Sequence, residues 1–222
     1  MAIFVSIANN SAQVANDIGI TGGAMSMAFW INGKSFSDTD TFCAQRDTGT
    51  QTGYTIRFSG SNVRFIRERV GVSDDSANYS FTPNTGQWYH FCLTYDGSNV
   101  RGYVDGILRA GPTASTGNGT AGASIDLIAC GIHGDGTSNP PDAYFAHFVV
   151  YNKALSQNEV KNLMLQRPSW DQAAAGTFLQ LYWPLQEGAG TTTYDHAPNG
   201  TSVNGAITSS VWSNLHPPTT YK

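Results

Sequence analysis

The sequence predicts an all-β fold in which two antiparallel sheets pack face to face as a jelly-roll sandwich with one short helix. Roughly a dozen short runs of strand-forming residues alternate with turn residues, and no βαβ rhythm interrupts them. The stretch 86–108 is typical of an antiparallel meander. A chain of 222 residues fits one domain of this kind, so residues 1–222 are predicted to form a single unit.

The meander is the best-determined part of the chain. Nearly every residue of 88–95 is aromatic, β-branched or otherwise compatible with a strand. Two Asp-Gly pairs then predict turns, because Asp and Gly tolerate the backbone geometry of tight hairpins. The residues to which we assign a structural role here are Trp88, Asp96, Gly97, Tyr103, Asp105 and Gly106.

The chain before the meander is predicted to form strands and hairpins. A strand at 2–8 comes first, and 25–31 follows with Met25, Met27, Phe29 and Ile31 on one face. Residues 42–46 and 53–58 predict a hairpin, and 63–70 predicts the next strand. The acidic stretch 71–76 is predicted to be a solvated turn.

After the meander, the Gly-rich stretch 111–122 is predicted to be a long loop. Strands at 125–130 and 144–151 flank the loop 131–142. Ser156 and Glu159 form an S-x-x-E capping box, which predicts a helix over about 157–166 that ends before Pro168.

Composition excludes several classes of function. The net charge is -4 with a pI near 5.6, and no dense Lys/Arg cluster is present, so nucleic acid is not expected as a partner. There is neither a secretory signal nor an apolar run of about 18 residues, so no membrane partner is expected. The three cysteines are odd in number and widely spaced, which predicts free thiols in a reducing compartment.

Two motifs resemble a known family. The chain reads W-x-H-x-x-x-T-Y-D-G over 88–97 and V-x-x-Y-V-D-G over 100–106. This pattern resembles the middle of laminin-G-like domains in the concanavalin A-like lectin/glucanase superfamily. The resemblance implies a two-sheet sandwich, and it implies that Trp30 packs inside that sandwich.

A third motif lies at an unexpected place in the chain. The string Y-W-x-L-x-E-G-x-G at 182–190, which includes Trp183, resembles the segment that opens the domain in the family. Here it comes last, so 179–200 is predicted to supply the family's first strand from the C-terminal side, as in a circularly permuted domain. Pairing within its own chain is favoured over completion of a neighbouring subunit in a homo-oligomer.

The sequence does not predict an enzyme. The glucanase branch of the superfamily has E-x-D-x-x-E on one strand, since a retaining glycosidase needs two carboxylates about 5 Å apart, and this chain has no such string. Glu68 lies among arginines, Glu159 caps a helix and Glu187 belongs to a Glu-Gly turn, so no catalytic residue is assigned. Glycan cleavage is kept only as the least favoured alternative.

A metal site is not favoured either. The carboxylates available for calcium are Asp74, Asp75 and Asp195. A solvated turn is the preferred interpretation for the first two. The family usually has an acidic pair where this chain has Ala146 and His147, so no cofactor is expected and a calcium site is disfavoured.

Two functions fit this description. The loop 131–142 has the polar groups with which sandwich lectins hold sugars, and the predicted glycan-binding residues are His133, Asp135, Asn139 and Asp142. A free-standing cytoplasmic carbohydrate-binding protein is one possibility. The favoured one is a lectin-like bacteriophage component, a head decoration or fibre protein that is made in the host cytoplasm, lies on the virion surface and binds virion proteins and glycans.

Overall fold

Two antiparallel sheets form the protein, as expected from the sequence, and each has eight strands among the described residues. The structure is a computed structural model and describes residues 2–5, 11–14, 20, 23–47, 49–50, 52–69, 71–115, 127–131, 141–165, 178–198, 202–208 and 211–218. Within these ranges there is one helix, α1 (Gln157–Leu165), and it is too short to cross a membrane.

The first sheet has the order β10-β9-β8-β3-β12-β1-β16, with β13 also paired to β12. Its strands are β1 (Ala2–Val5), β3 (Met25–Gly33), β8 (Trp88–Tyr95), β9 (Asn99–Val104), β10 (Ile107–Ala114), β12 (Ala143–Tyr151), β13 (Leu179–Trp183) and β16 (Val211–Ser213). The second sheet has the order β14-β15-β2-β11-β4-β5-β6-β7. Its strands are β2 (Ser11–Val14), β4 (Thr41–Asp47), β5 (Thr52–Ser59), β6 (Asn62–Glu68), β7 (Asp75–Ser80), β11 (Leu127–Cys130), β14 (Thr192–Thr193) and β15 (Gly205–Thr208).

An aromatic core fills the space between the inner faces of the two sheets. The ring centroid of Phe29 lies 6.4 Å from that of Phe42, 6.0 Å from Phe91 and 5.8 Å from Phe145. All four side chains are fully buried. Such tilted and edge-on pairs stabilise the core beyond the burial of their area alone.

The predicted meander is confirmed. β8, β9 and β10 pair in sequence, and the turn between β9 and β10 has positive φ at both Asp105 (49°) and Gly106 (72°). Two positive φ values are what a type I′ hairpin turn requires. The carboxylate of Asp105 also accepts a hydrogen bond from the backbone N–H of His90, at 2.8 Å, which ties the turn to β8.

Helix α1 covers part of the outer face of the first sheet, the side that is turned away from the second sheet. Val160 is buried there in a cluster that includes Tyr103, Tyr151 and Leu179. The predicted capping box is confirmed, since the hydroxyl of Ser156 donates to a carboxylate oxygen of Glu159 at 2.8 Å. The same oxygen accepts the backbone N–H of residue 156 at 2.8 Å.

Trp30 is buried, but the expectation that it packs inside the sandwich was wrong. It is 4% exposed and contacts Ala146 on the outer face of the first sheet, in a cluster separate from the inter-sheet core. Alternation along β3 explains this, because Met27, Phe29 and Ile31 occupy the inner face and the residues between them must point the other way. Trp88 lies on the same outer face and is only half-buried.

The boundaries of two strands also differ from the prediction. β10 continues to residue 114, into the stretch that was expected to be a loop. β7 begins at Asp75, which was assigned to a turn. Its alternation is hard to recognise because most of its residues are polar: Ser76 and Asn78 face outward, while Asp75 and Ala77 are buried and face inward.

The C-terminal strand β13 pairs with β12 of its own chain, from Phe148 opposite Trp183 to Tyr151 opposite Leu179. Trp183 is fully buried, and its indole N–H donates to the carbonyl oxygen of Val203 at 2.7 Å. The pairing within one chain is therefore the arrangement in this structure. The correspondence of 179–200 to the family's first strand stays a prediction.

Candidate functional site

A row of polar and aromatic residues crosses the outer face of the first sheet. Asn32 on β3 is opposite Trp88 on β8 and opposite Tyr144 on β12. Trp88 and Tyr144 are half-buried, while Asn32 is 5% exposed. Strands lie just under 5 Å apart, so the two aromatic residues are about 10 Å apart along the row. We call Trp88, Asn32 and Tyr144 the aromatic row.

A buried layer lies beside the aromatic row, two residues further along each of the three strands. Trp30 is opposite His90 on one side and Ala146 on the other. The centroids of the Trp30 and His90 rings are 5.2 Å apart. Burial, together with the neighbouring His147, lowers the pKa of His90 to about 3. This imidazole is therefore neutral at physiological pH and acts as part of the support for the row.

Asp142 and Lys34 lie at the β12 end of the aromatic row. The backbone N–H of Lys34 donates to the carbonyl oxygen of Asp142 at 2.7 Å, and the two side chains approach to 4.0 Å. The ammonium of Lys34 also lies 5.3 Å from the ring centroid of Tyr144. A cation, a carboxylate and an aromatic ring therefore meet where β12 begins.

Of the predicted glycan-binding residues, the structure describes only Asp142. His133, Asp135 and Asn139 lie outside the described residues, so their assignment stays a prediction. Asp142 is the last residue of the predicted loop, and it stands next to the aromatic row. Sequence reasoning missed the row itself. The strand at 144–151 was predicted from the sequence, but which strands pair with it was not.

His147 occupies an irregular position on β12. Its φ is +52°, and the ladder with β3 shifts register between Ala146 and Val149. The other edge of β12 pairs with β1 before this point and with β13 after it. The backbone N–H of His147 instead donates to the carbonyl oxygen of Pro184 at 3.1 Å. A bulge at such a change of partner re-aims a side chain.

The contacts of the His147 ring define its tautomer. Its Nε2 lies 2.9 Å from Nε2 of Gln186, and its Nδ1 lies 3.0 Å from the hydroxyl of Tyr182. An amide nitrogen only donates, so Nε2 of His147 accepts and Nδ1 carries the proton. The sequence indicated only that a histidine replaces an acidic residue here, and nothing in it singled out Gln186.

The carboxylates considered for calcium are held by protein groups. Both oxygens of Asp75 are engaged, one by Arg67 and one by Arg69, each at 3.0 Å. Asp74 accepts the backbone N–H of Arg69 at 3.2 Å. Asp195 accepts backbone N–H groups from the residues Tyr182, Ala197 and Val203. No group of three metal-ligating side chains occurs among the described residues, so their geometry gives no support to a calcium site.

Each glutamate contacts groups that hold the fold. Glu68 pairs with Arg46 at 2.5 Å, and both side chains are almost fully buried. Glu159 caps the helix and contacts Lys153 at 2.5 Å. Glu187 accepts from the hydroxyl of Thr193 and from a backbone N–H, both at 2.8 Å. Burial raises the pKa of Glu68.

Comparison with known proteins supports the fold. A solved structure from Bacteroides ovatus, described as a candidate carbohydrate binding protein, has a TM-score of 0.72 at 18% identity and covers 99% of this chain. This chain spans 62% of that protein. A heptameric SAP-like pentraxin from Limulus polyphemus has a TM-score of 0.56 at 16% identity, with 73% of this chain and 80% of that one covered.

A third similar structure is the ligand binding domain of botulinum neurotoxin serotype D in complex with N-acetylneuraminic acid. It has a TM-score of 0.54 at 14% identity, and the match covers 74% of this chain and 44% of that one. At these identities the likeness shows a shared fold. No curated protein sequence matches the chain significantly.

A sequence model of the family gives the more specific result. The model, described as Concanavalin A-like lectin/glucanases superfamily, matches residues 7–161, which is more than half of the chain. It spans the meander, the aromatic row and the start of the helix. The protein therefore belongs to the concanavalin A-like lectin/glucanases superfamily, as the motifs at 88–106 implied.

Proposed function

We propose that this chain is a non-catalytic glycan-binding module and that the aromatic row, with Lys34 and Asp142 at its end, is its sugar site. The observation that carries the proposal is the pairing of Trp88, Asn32 and Tyr144 across three strands on the outer face of the first sheet. The descriptions of similar structures as carbohydrate-binding and ligand-binding proteins support it.

The chemistry of a sugar suits this arrangement. The C–H faces of a pyranose ring are apolar and pack on aromatic rings, while its hydroxyls need hydrogen-bonding partners around the rim. Trp88 and Tyr144 provide two half-buried rings, and Asn32 lies between them. The amide nitrogen of Asn32 donates to the carbonyl oxygen of Gly86 at 2.9 Å, which fixes the orientation of its side chain. A spacing of about 10 Å suits an oligosaccharide better than a single sugar.

The test is a glycan array followed by calorimetric titration of the best oligosaccharide. Trp88→Ala and Tyr144→Ala should each weaken binding about tenfold, since the loss of one stacked ring costs close to 1.4 kcal/mol. Tyr194→Ala is the matched control, because Tyr194 is 54% exposed and is not in the row. Unchanged affinity in both row variants, with binding in the wild type, would reject the row as the site.

The loop prediction is tested with the same ligand. If Asp135→Ala abolishes binding while Trp88→Ala does not, the sugar is held by residues of the loop 131–142 and not by the row. The proposal that the module is non-catalytic is tested by incubating the bound oligosaccharide with the protein. Release of reducing ends above the buffer control would contradict it.

The virion-surface role stays a prediction, because no contact among the described residues and none of the similar structures named above bears on it. Binding to virion proteins and assembly into a homo-oligomer stay predictions as well. Light scattering on the purified protein tests the assembly. A monomer with β13 in its own sheet would remove the structural argument that this protein is a component of a virus particle.

A further inference from the structure

Two cysteines face each other inside the core. Cys43 on β4 is the register partner of Cys130 on the neighbouring strand β11. Both side chains are fully buried on the inner face of the second sheet, and their sulfur atoms are 2.8 Å apart. In the structure both residues are thiols.

The position of this pair in the ladder brings the side chains close. The N–H of Gly131 donates to the carbonyl oxygen of Phe42 at 2.7 Å. Hydrogen-bonded and non-hydrogen-bonded pairs alternate along an antiparallel ladder, so the adjacent pair of Cys43 and Cys130 is non-hydrogen-bonded. The Cα atoms of such a pair are about 4.5 Å apart, which is within the range that a disulfide spans.

We propose that Cys43 and Cys130 form a disulfide between β4 and β11 when the chain folds in the presence of an oxidised thiol such as glutathione disulfide. One cysteine thiolate attacks a sulfur of glutathione disulfide and releases one glutathione thiolate. The second cysteine thiolate attacks the resulting mixed disulfide and releases the other. The two protein sulfurs lose two electrons, the two glutathione sulfurs gain them, and the cysteine protons end on the two glutathione molecules.

Burial determines when this bond forms. Both sulfurs are inaccessible in the folded protein, and burial raises the pKa of the Cys43 thiol and of the Cys130 thiol. A buried thiol is a poor nucleophile and cannot meet glutathione disulfide. The exchange therefore takes place during folding, and the bond is protected from reductants once the sheet has closed.

The third cysteine provides an internal control. Cys92 is fully buried on the outer face of the first sheet, in the cluster under the helix. The first sheet separates it from the Cys43–Cys130 pair. It cannot join either of the other two without disruption of the sandwich. A specific bond therefore leaves Cys92 as a thiol.

The experiment refolds the full chain from denaturant in a glutathione redox buffer. The folded protein is then unfolded in denaturant with iodoacetamide, digested without reduction and analysed by mass spectrometry. Because the chain has three cysteines, alkylation should fall from three sites per chain after refolding in reductant to one, at Cys92. A cross-linked peptide pair containing Cys43 and Cys130 should appear.

Variants sharpen the assignment. Cys92→Ala should leave no alkylatable site after oxidative refolding, and Cys43→Ser should leave two. If Cys43→Ser fails to fold, the number of alkylated cysteines in the wild-type chain is sufficient to test the proposal. Three alkylated sites in natively folded protein from the oxidising buffer, or a disulfide that includes Cys92, would overturn the proposal.

Discussion

The two faces of the first sheet are both well covered, but they are built from different side chains. The inner face presents Phe29, Phe91 and Phe145 to a dry aromatic core. The outer face of the same strands carries Trp30 and His90, whose Nδ1 has no hydrogen-bond partner among the described residues. Successive residues of one strand therefore serve opposite purposes.

If the aromatic row binds a sugar as proposed, this difference separates stability from recognition. Apolar rings that interdigitate maximise burial and leave nothing for a ligand to contact. Polar and aromatic groups with incompletely used hydrogen-bonding capacity cost stability, and proteins keep such groups where they bind something. We therefore expect substitutions on the inner face to change mainly stability and those on the outer face to change mainly binding or pH response.

The largest expected effect is on the inner face, from Phe91→Ala. Phe91 is fully buried and contacts the rings of Phe29, Phe42 and Phe65. Removing a buried phenylalanine ring leaves a cavity and should lower the free energy of unfolding by about 3–5 kcal/mol. Urea denaturation followed by tryptophan fluorescence measures it. Cys92→Ala, at the next position on the outer face, is the control and should cost far less; equal losses would contradict the comparison.

The second prediction concerns pH and the outer face. Burial lowers the pKa of His90 in the folded state to about 3, from the usual 6.5. Between these two pH values the imidazole of the unfolded chain is protonated and that of the folded chain is not. Stability from the neutral form is complete above pH 6.5 and is lost as the pH falls toward 3. Relative to His90→Gln, the wild type should lose about 1.4 kcal/mol per pH unit between pH 6 and pH 4. Parallel stability curves for the two proteins would contradict this.

The pH dependence of stability that Asp40 causes is expected to have the opposite sign to that of His90. Burial raises the pKa of its carboxyl to about 6, against a hydrogen bond from the backbone N–H of Ser37 at 2.6 Å. The folded state therefore holds this proton more tightly than the unfolded chain does. The resulting stability is present below pH 4 and is lost as the pH rises through 6. Relative to Asp40→Asn, the wild type should become more stable on acidification, as measured by unfolding at each pH.

The next prediction tests how tightly the inner face is packed. Gly102 on β9 has no side chain because the ring of Phe65 occupies that space, and an added Cβ would lie 2.0 Å from Cδ2 of that ring. Gly102→Ala should therefore cost about 1–3 kcal/mol through overpacking. Gly23→Ala is the matched control, since nothing lies within 4 Å of its added Cβ. Thermal unfolding of both variants measures the difference, and a neutral Gly102→Ala would show a loosely packed core.

The smallest effect is expected from the helix that covers part of the outer face. Ser156→Ala removes the hydroxyl that Glu159 binds in the capping box. The loss should be about 1 kcal/mol in the free energy of unfolding. Ser80→Ala, an exposed site at the end of β7, is the control. A loss no larger than that of the control would show that tertiary contacts of Val160 hold the helix without its cap.

Much of the first sheet was predictable from local pattern. The period of two along 25–31 correctly grouped Met25, Met27, Phe29 and Ile31 on one face of β3, and the Asp-Gly pairs located the turns of the meander. The strand β7 was not predicted, because its outward residues are polar and its inward face includes Asp75. The ion pairs of Asp75 with two arginines depend on neighbouring strands that no local pattern specifies.

The sequence by itself determined the fold class, the hairpins, the helix and its cap, because alternation, turn residues and capping act within a few residues of one another. Only the tertiary structure decided which face of β3 meets the second sheet, since alternation defines two faces but not what covers each. The aromatic row and the opposed pair of Cys43 and Cys130 join strands that are distant in the chain. Register between such strands is a property of the whole sandwich.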